Sequence, residues 1–186
     1  MEPWITTFTG KHVNLKQPSS DQITLVDIAH ALSNVCRFTG HCNKFYSVAQ
    51  HCIHVSSILP NHLKLTGLLH DATEAYLTDI SSPLKAVLPE YRKLENTMWS
   101  VIAKEFCLPD PLPSDIKHAD RILLATEKRD LLNHPDEIWS LLLGIIPLKM
   151  TIEPWTPAFA KEFFLLTASQ LMAQDYAKES RHTQSN

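Results

Sequence analysis

Two adjacent ionisable residues, His70 and Asp71, sit inside the apolar run GLLHDATEAYL. No other feature constrains the chain as strongly. An imidazole and a carboxylate in a leucine-rich helix are costly to bury unless something compensates them. A divalent cation accepts both donors and offsets their lost hydration. Two more ligand types stand at suitable places: His51 upstream in SVAQHCIHV, and Asp120 downstream in KHADRILLATEKRDLL. The order His, His-Asp, Asp, all on expected helices, points to a metallohydrolase.

The 186 residues suffice for one domain with a substantial core, and we take 1–186 as a single unit with an N-terminal arm (1–20) and a polar tail (179–186). A net charge of -3 leaves no broad basic field for a nucleic-acid polymer. A small anionic substrate would need a local cationic site. Cys36, Cys42, Cys52 and Cys107 form no CxxC pair, so neither a zinc ribbon nor a redox motif is indicated. The opening MEPWITTFTGKH lacks the long apolar core of a signal peptide. The longest apolar stretch, near LLLGIIPL, is too short to cross a bilayer. The expectation is a cytoplasmic, soluble protein with no membrane contact.

Four glycines and little strand-like alternation predict an all-α chain. Residues 5–15 can form a short hairpin around Gly10, and the chain after Pro18 reads as mostly helical. Asp27 is expected to cap a helix running through Arg37, and Ser47 to cap the next, which stops before Pro60. A third helix is expected over 61–77, carrying His70-Asp71, and another over about 90–107. Ser114 is expected to cap the helix that carries Asp120. Thr156-Pro157 is expected to open a last helix running to about 178.

On a helix His70 and Asp71 project about 100° apart, yet both can reach one ion above that edge. Glu74 follows His70 by four residues and shares its face, close to an ion but free to handle a water. Two histidines and two carboxylates suit Mn²⁺, Co²⁺, Fe²⁺ or Zn²⁺.

With these residues in view, the chain resembles the HD-domain phosphohydrolases, named for the His-Asp pair. The likeness is greatest to YfbR-type 5′-deoxynucleotidases and small phage dATP triphosphohydrolases of the DatZ type. It runs from DIAHALSNVCRF through FYSVAQH and LLHDATEAYLTDISSPLK to KHADRILLATEKRDLL. The resemblance implies a single-domain HD-type helical bundle with His51, His70, Asp71 and Asp120 as metal ligands. It implies Glu74 as the residue that positions or deprotonates the attacking water. It further implies that Asp79 contacts the deoxyribose 3′-hydroxyl, that Lys85 grips the phosphate, and that Arg37-Phe38 meets phosphate or sugar and packs on the nucleoside. The related enzymes carry tryptophan where this chain has Phe38. That keeps a stacking surface but removes an indole N–H.

Other candidates have plainer expectations. His54 shares a face with His51 and reads as a helix-packing histidine rather than an extra ligand. His41 and Lys44 line either a phosphate mouth or a solvated loop, and His118 has no assigned role. Glu127, on the face of Asp120, reads with Lys128 and Arg129 as an internal salt bridge. Trp139, Trp155, Phe159, Phe163 and Phe164 read as core packing or an oligomer contact. The leading functional expectation is a divalent-metal dATP triphosphohydrolase, using Zn²⁺, Mn²⁺ or Co²⁺ with Mg²⁺ as a second ion. Water would attack the α-phosphorus. The alternatives are a 5′-deoxynucleotidase, an HD hydrolase of another nucleotide, and a non-catalytic HD-fold binding protein. The expected partners are a deoxynucleotide and further copies of the chain, as a dimer or hexamer.

Overall fold

The computed structural model describes residues 3–134 and 136–183. Strands β1 (Trp4–Thr6) and β2 (His12–Asn14) form an antiparallel hairpin with Ile5 opposite Val13. Gly10 sits at φ 84, in the left-handed region that lets the chain reverse. Helices then follow: α1 (Leu25–Asn34), α2 (Val48–Ser57), α3 (Lys64–Leu69), α4 (Glu74–Leu77), α5 (Ser82–Val87), α6 (Pro89–Glu105), α7 (Ser114–Leu131) and α8 (Pro157–Thr183). The described chain is thus mostly helical with one small sheet. Among the described residues no helix is long and apolar enough to cross a membrane.

The main core joins these elements around Ile28 and Leu32 of α1, Ile53 of α2, Leu68 and Leu69 of α3, Ile102 of α6 and Phe164 of α8. Val13, fully buried, ties the hairpin into it. A second cluster packs Val55 and Leu59 from the α2 end against Ile116, Ala119 and Leu123 of α7. Helices α2 and α3 run close together because of Gly67. A side chain there would collide with Leu59 Cδ1 and lie 3.4 Å from the Ser56 Cα. That close approach brings His51 and His70 to one place.

Several boundaries differ from the sequence expectation. Thr24, not Asp27, caps α1: its hydroxyl oxygen accepts the Asp27 N–H at 3.1 Å. Asp27 instead accepts both the Thr9 N–H and the Thr9 hydroxyl at 2.7 Å, fastening the hairpin to α1. Burial opposes ionisation of Asp27, but the bonds from Thr24 and Thr9 prevail and hold its carboxyl below the ordinary value. Helix α1 ends at Asn34, so Arg37-Phe38 lies in a separate 3₁₀ turn, Arg37–Gly40. The expected helix 61–77 is broken. Residues 70–73 form a turn between α3 and α4, and His70 stands at the C-terminal edge of α3. Ser114 is the first residue of α7 rather than its cap. Ser47 caps α2 as expected, accepting the Gln50 N–H at 3.1 Å. Helix α8 continues beyond the expected end, to Thr183, and residues 184–186 of the expected polar tail lie outside the described residues.

Candidate metal centre

His51 is fully buried in the middle of α2, and His70 is 8% exposed where α3 gives way to the turn. Asp71 follows His70, and Asp120 arrives from α7. The His51 Nε2 lies 3.5 Å from Asp71 Oδ2 and 3.2 Å from Asp120 Oδ1. The His70 Nε2 lies 3.3 Å from Asp71 Oδ2. Ligand atoms of His51, His70 and Asp120 fall within 4.8 Å of one another. The structure therefore brings together all four residues singled out as metal ligands.

Both Nε2 atoms are buried without a hydrogen-bond partner. Orphaned buried nitrogens are rare and call for a specific explanation. Here the opposite nitrogen of each ring is engaged. His70 Nδ1 donates to the Gly67 carbonyl at 2.8 Å, and His51 Nδ1 meets Glu127 Oε1 at 2.5 Å. Each bond turns the lone pair of Nε2 toward Asp71 and Asp120, the arrangement that metal-bound histidines adopt. The donor set and its geometry fit a metal ion.

Glu127 is the residue of this cluster that sequence reasoning underrated. It sits two turns beyond Asp120 on α7 and is completely buried. One oxygen holds His51, and the other accepts from Arg37 Nη2 at 2.9 Å. Burial opposes its charge, but Arg37 and His51 prevail and hold its pKa at about 2. Burial and Arg37 also work against a proton on His51. Glu127 and Asp120 outweigh them and hold that pKa at about 10, so a bound cation would displace a proton here. The usable sequence signal was the seven-residue spacing from Asp120. Cys52 was also missed. It is buried next to His51, and its sulfur falls within 4.8 Å of ligand atoms of His70 and Asp71.

Glu74, the first residue of α4, is 4% exposed, and its Oε2 has no hydrogen-bond partner. Burial and the charges of Asp71 and Asp79 push its carboxyl well above the ordinary range. Lys85 Nζ opposes this from 3.3 Å, while also donating to Glu95 at 2.8 Å. Arg37 Nη1 lies 3.9 Å from Asp71, and its guanidinium carbon lies 5.4 Å from the Phe38 ring centroid. Asp79 is half-buried and engages Arg37, Asp71 and Lys85 through charge rather than a direct hydrogen bond; burial raises its pKa. The backbone here is strained. Phe38 and Thr39 lie at φ 55 and 54, and Thr78, just before Asp79, at φ 66 and ψ 160, a region that glycine normally fills.

The remaining candidates stand apart from the cluster. His54 meets Gln50 Nε2 at 3.4 Å and the Trp155 ring at 5.4 Å between centroids. His41 and Lys44 are exposed. A surface hollow lined by Lys128, Arg129, Trp139 and Pro147 among others shares no residue with the His-Asp cluster.

No known-family model matches the chain. A search among curated proteins does find relatives. An uncharacterized protein of Rhodobacter capsulatus is 32% identical over 126 residues, 62% of this chain and 64% of its own length. The uncharacterized protein YfdR of Escherichia coli K12 is 42% identical over 163 residues, 87% of this chain and 92% of YfdR. With that identity along nearly the whole of both sequences, the chain belongs to the YfdR family.

Proposed function

We propose that this chain is a metal-dependent phosphohydrolase of the HD type, acting on a deoxynucleoside 5′-monophosphate. The observation that carries the reading is the convergence of two orphaned, buried Nε2 atoms on the carboxylates of Asp71 and Asp120. His51, His70, Asp71 and Asp120 would hold the ion, and their donor set suits Zn²⁺, Mn²⁺ or Co²⁺. Bound there, such an ion supplies positive charge to a phosphoryl group and acidifies water.

The rest of the work falls to the protein. Glu127 and the Gly67 carbonyl fix the two imidazoles in the ligating tautomer. Glu74, with its raised pKa, is suited to take a proton from the attacking water and return it to the departing 5′-oxygen. Arg37 and Lys85 stand where charge on the phosphate would be met, with Asp79 toward the sugar hydroxyl and Phe38 against the nucleoside.

Charge balance favours a monophosphate over the triphosphate that leads from sequence. Arg37 and Lys85 face the carboxylates of Asp71, Glu74, Asp79, Asp120 and Glu127. Both cations are already engaged by these or neighbouring acids. Lys93, further along α6, is exposed and paired with Glu90 at 2.8 Å. The additional charges of a triphosphate would enter an acidic site with little to meet them. Chromatography of products from dAMP, AMP and dATP with Mn²⁺ or Co²⁺ tests the reading. Phosphate from dAMP, suppressed by a chelator, is the expected result. Triphosphate from dATP would restore the triphosphohydrolase, and inertness toward all three would remove the proposal.

A further inference from the structure

Lys85 is the one residue of α5 that is not exposed. Its neighbours Leu84 and Val87 are 46% and 69% exposed, and the helix buries no residue at all. Packing therefore does little to fix where the Lys85 ammonium stands. Polar contacts do it instead. The Lys85 Nζ donates to Glu95 Oε1 at 2.8 Å and, over a longer distance of 3.3 Å, to Glu74 Oε1. Burial works against its charge, but Glu74 and Glu95 outweigh that and hold its pKa above the ordinary value.

Glu95 has the firm footing that α5 lacks. It belongs to α6, which Met98, Trp99 and Ile102 hold in the main core. One turn before it, the Tyr91 hydroxyl donates to the Thr78 carbonyl at 2.8 Å, fastening α6 to the strained residue that precedes Asp79. The Lys85 Nζ also lies 5.7 Å from the centre of the Tyr91 ring. Tyr91 and Glu95 are four residues apart and share one face of α6, which thus meets both Lys85 and the Thr78 turn.

We propose that Glu95 is a positioning residue, whose carboxylate oxygen sets the Lys85 ammonium so that one N–H is left to meet a phosphate oxygen. The phosphate role rests on the phosphohydrolase reading. An ammonium carries three donors. Among the described residues Glu95 and Glu74 take two of them, from α6 and from the start of α4, and the tetrahedral nitrogen then aims the third. Without Glu95 the ammonium would close on Glu74 as a plain ion pair and draw both away from a substrate. In this role the place of the acceptor oxygen matters and its charge does not. Charge alone would act in the opposite sense, since a carboxylate beside the site repels phosphate.

Substitutions at Glu95 separate place from charge. Glu95→Gln keeps the acceptor and removes the charge, Glu95→Asp keeps the charge and draws the oxygen back by one C–C bond, and Glu95→Ala removes both. Binding of inorganic phosphate to the Zn²⁺-loaded full chain is read by calorimetry. Glu95→Gln is expected to bind at least as tightly as the unaltered chain, and Glu95→Asp and Glu95→Ala about tenfold more weakly, the scale of one lost charge-assisted hydrogen bond. In a Lys85→Met background the Glu95→Asp change is expected to cost nothing further, because the two side chains act as a unit. A second readout needs no phosphate: the Lys85 Nζ resonance in ¹⁵N-lysine-labelled protein, assigned by its loss in Lys85→Met. It is expected to persist in Glu95→Gln and to broaden through faster solvent exchange in Glu95→Ala. An unaltered chain that binds no phosphate would count against the phosphohydrolase reading, and the resonance would still decide whether Glu95 holds Lys85. Unchanged binding in Glu95→Asp, tighter binding in Glu95→Ala, additive losses in the double variant, or a resonance equally sharp in every Glu95 variant would each overturn the proposal.

Discussion

The two sides of the His-Asp cluster are built differently. The ligand side leans on two regular helices, with His51 in mid-α2 and Asp120 and Glu127 two turns apart on α7, while His70 and Asp71 stand in the turn between α3 and α4. The substrate-facing side stands on turns and short segments. Arg37 and Phe38 occupy a left-handed reversal, Asp79 follows the strained Thr78, and Lys85 belongs to a six-residue helix with exposed flanks. Helices give the narrow positional tolerance that ligation needs, whereas turns can vary in length and residue to suit a ligand. Under the proposed function, that difference would set the chemistry in the core and the selectivity in the loops.

Substitutions sharpen or break that division. The largest effect is expected from Asp71→Ala, which should strip the ion and abolish turnover, since its oxygen faces both histidines. Metal content by mass spectrometry alongside the activity assay checks this, and full occupancy would break the ligand assignment. Glu74→Ala should leave metal content intact and slow turnover by about 10²-fold, the scale of a lost acid–base group. If the ion leaves with it, Glu74 belongs to the ligand side instead.

Glu127→Gln should weaken metal affinity by about 10- to 100-fold through a misdirected His51, although Glu127 touches no ion itself. Titration with Mn²⁺ followed by electron paramagnetic resonance reads this directly, and unchanged affinity would reduce Glu127 to a plain ion pair.

Helix α2, behind the ligand side, should also be acid-sensitive through His54. Burial, then the charge of His51, lower the His54 pKa to about 4. The folded state then binds fewer protons than the unfolded chain between its unfolded value near 6.5 and about 4, so stability falls as pH drops through that window. His54→Gln should remove about 2 kcal/mol of that loss, measured by urea unfolding at pH 7 and pH 4.5. An identical pH profile in both proteins would discount the histidine.

The smallest effect is expected on the other side. Phe38→Gly should relieve left-handed strain and stabilise the fold by about 1 kcal/mol, while eroding any preference for deoxyribose over ribose. A variant that loses both stability and selectivity would show that the ring, not the turn, sets the conformation there.

The sequence disclosed the ligand side more fully than the substrate side, for physical reasons. An ionisable pair in a leucine run is anomalous wherever it occurs, so His70-Asp71 was visible without any structure. Ser47 was visible as a cap because the capping bond is local. The break at 70–73 was hidden, because Ala72, Thr73 and Glu74 do not forbid helix and the turn is imposed by packing. Thr24-x-x-Asp27 carries the spacing of a capping box, and reading Asp27 alone misplaced the helix start. Glu127 sits among Lys128, Arg129 and Asp130, a string that resembles a solvated face; nothing local reveals that its own face is buried.

The placement of Asp120 and Glu127 on one helix also bears on how this chain can change length. Adding a single residue between them would rotate one against the other by about 100° and shift it about 1.5 Å along the axis. Either Asp120 would turn from the two histidines or Glu127 would swing from His51 and Arg37 into the core. The segment 120–127 should therefore accept exchanges on its outer side yet reject every insertion or deletion, while the 138–147 loop beyond it tolerates both. Scanning single-codon insertions through α7 and scoring folded protein would trace that boundary as a sharp step.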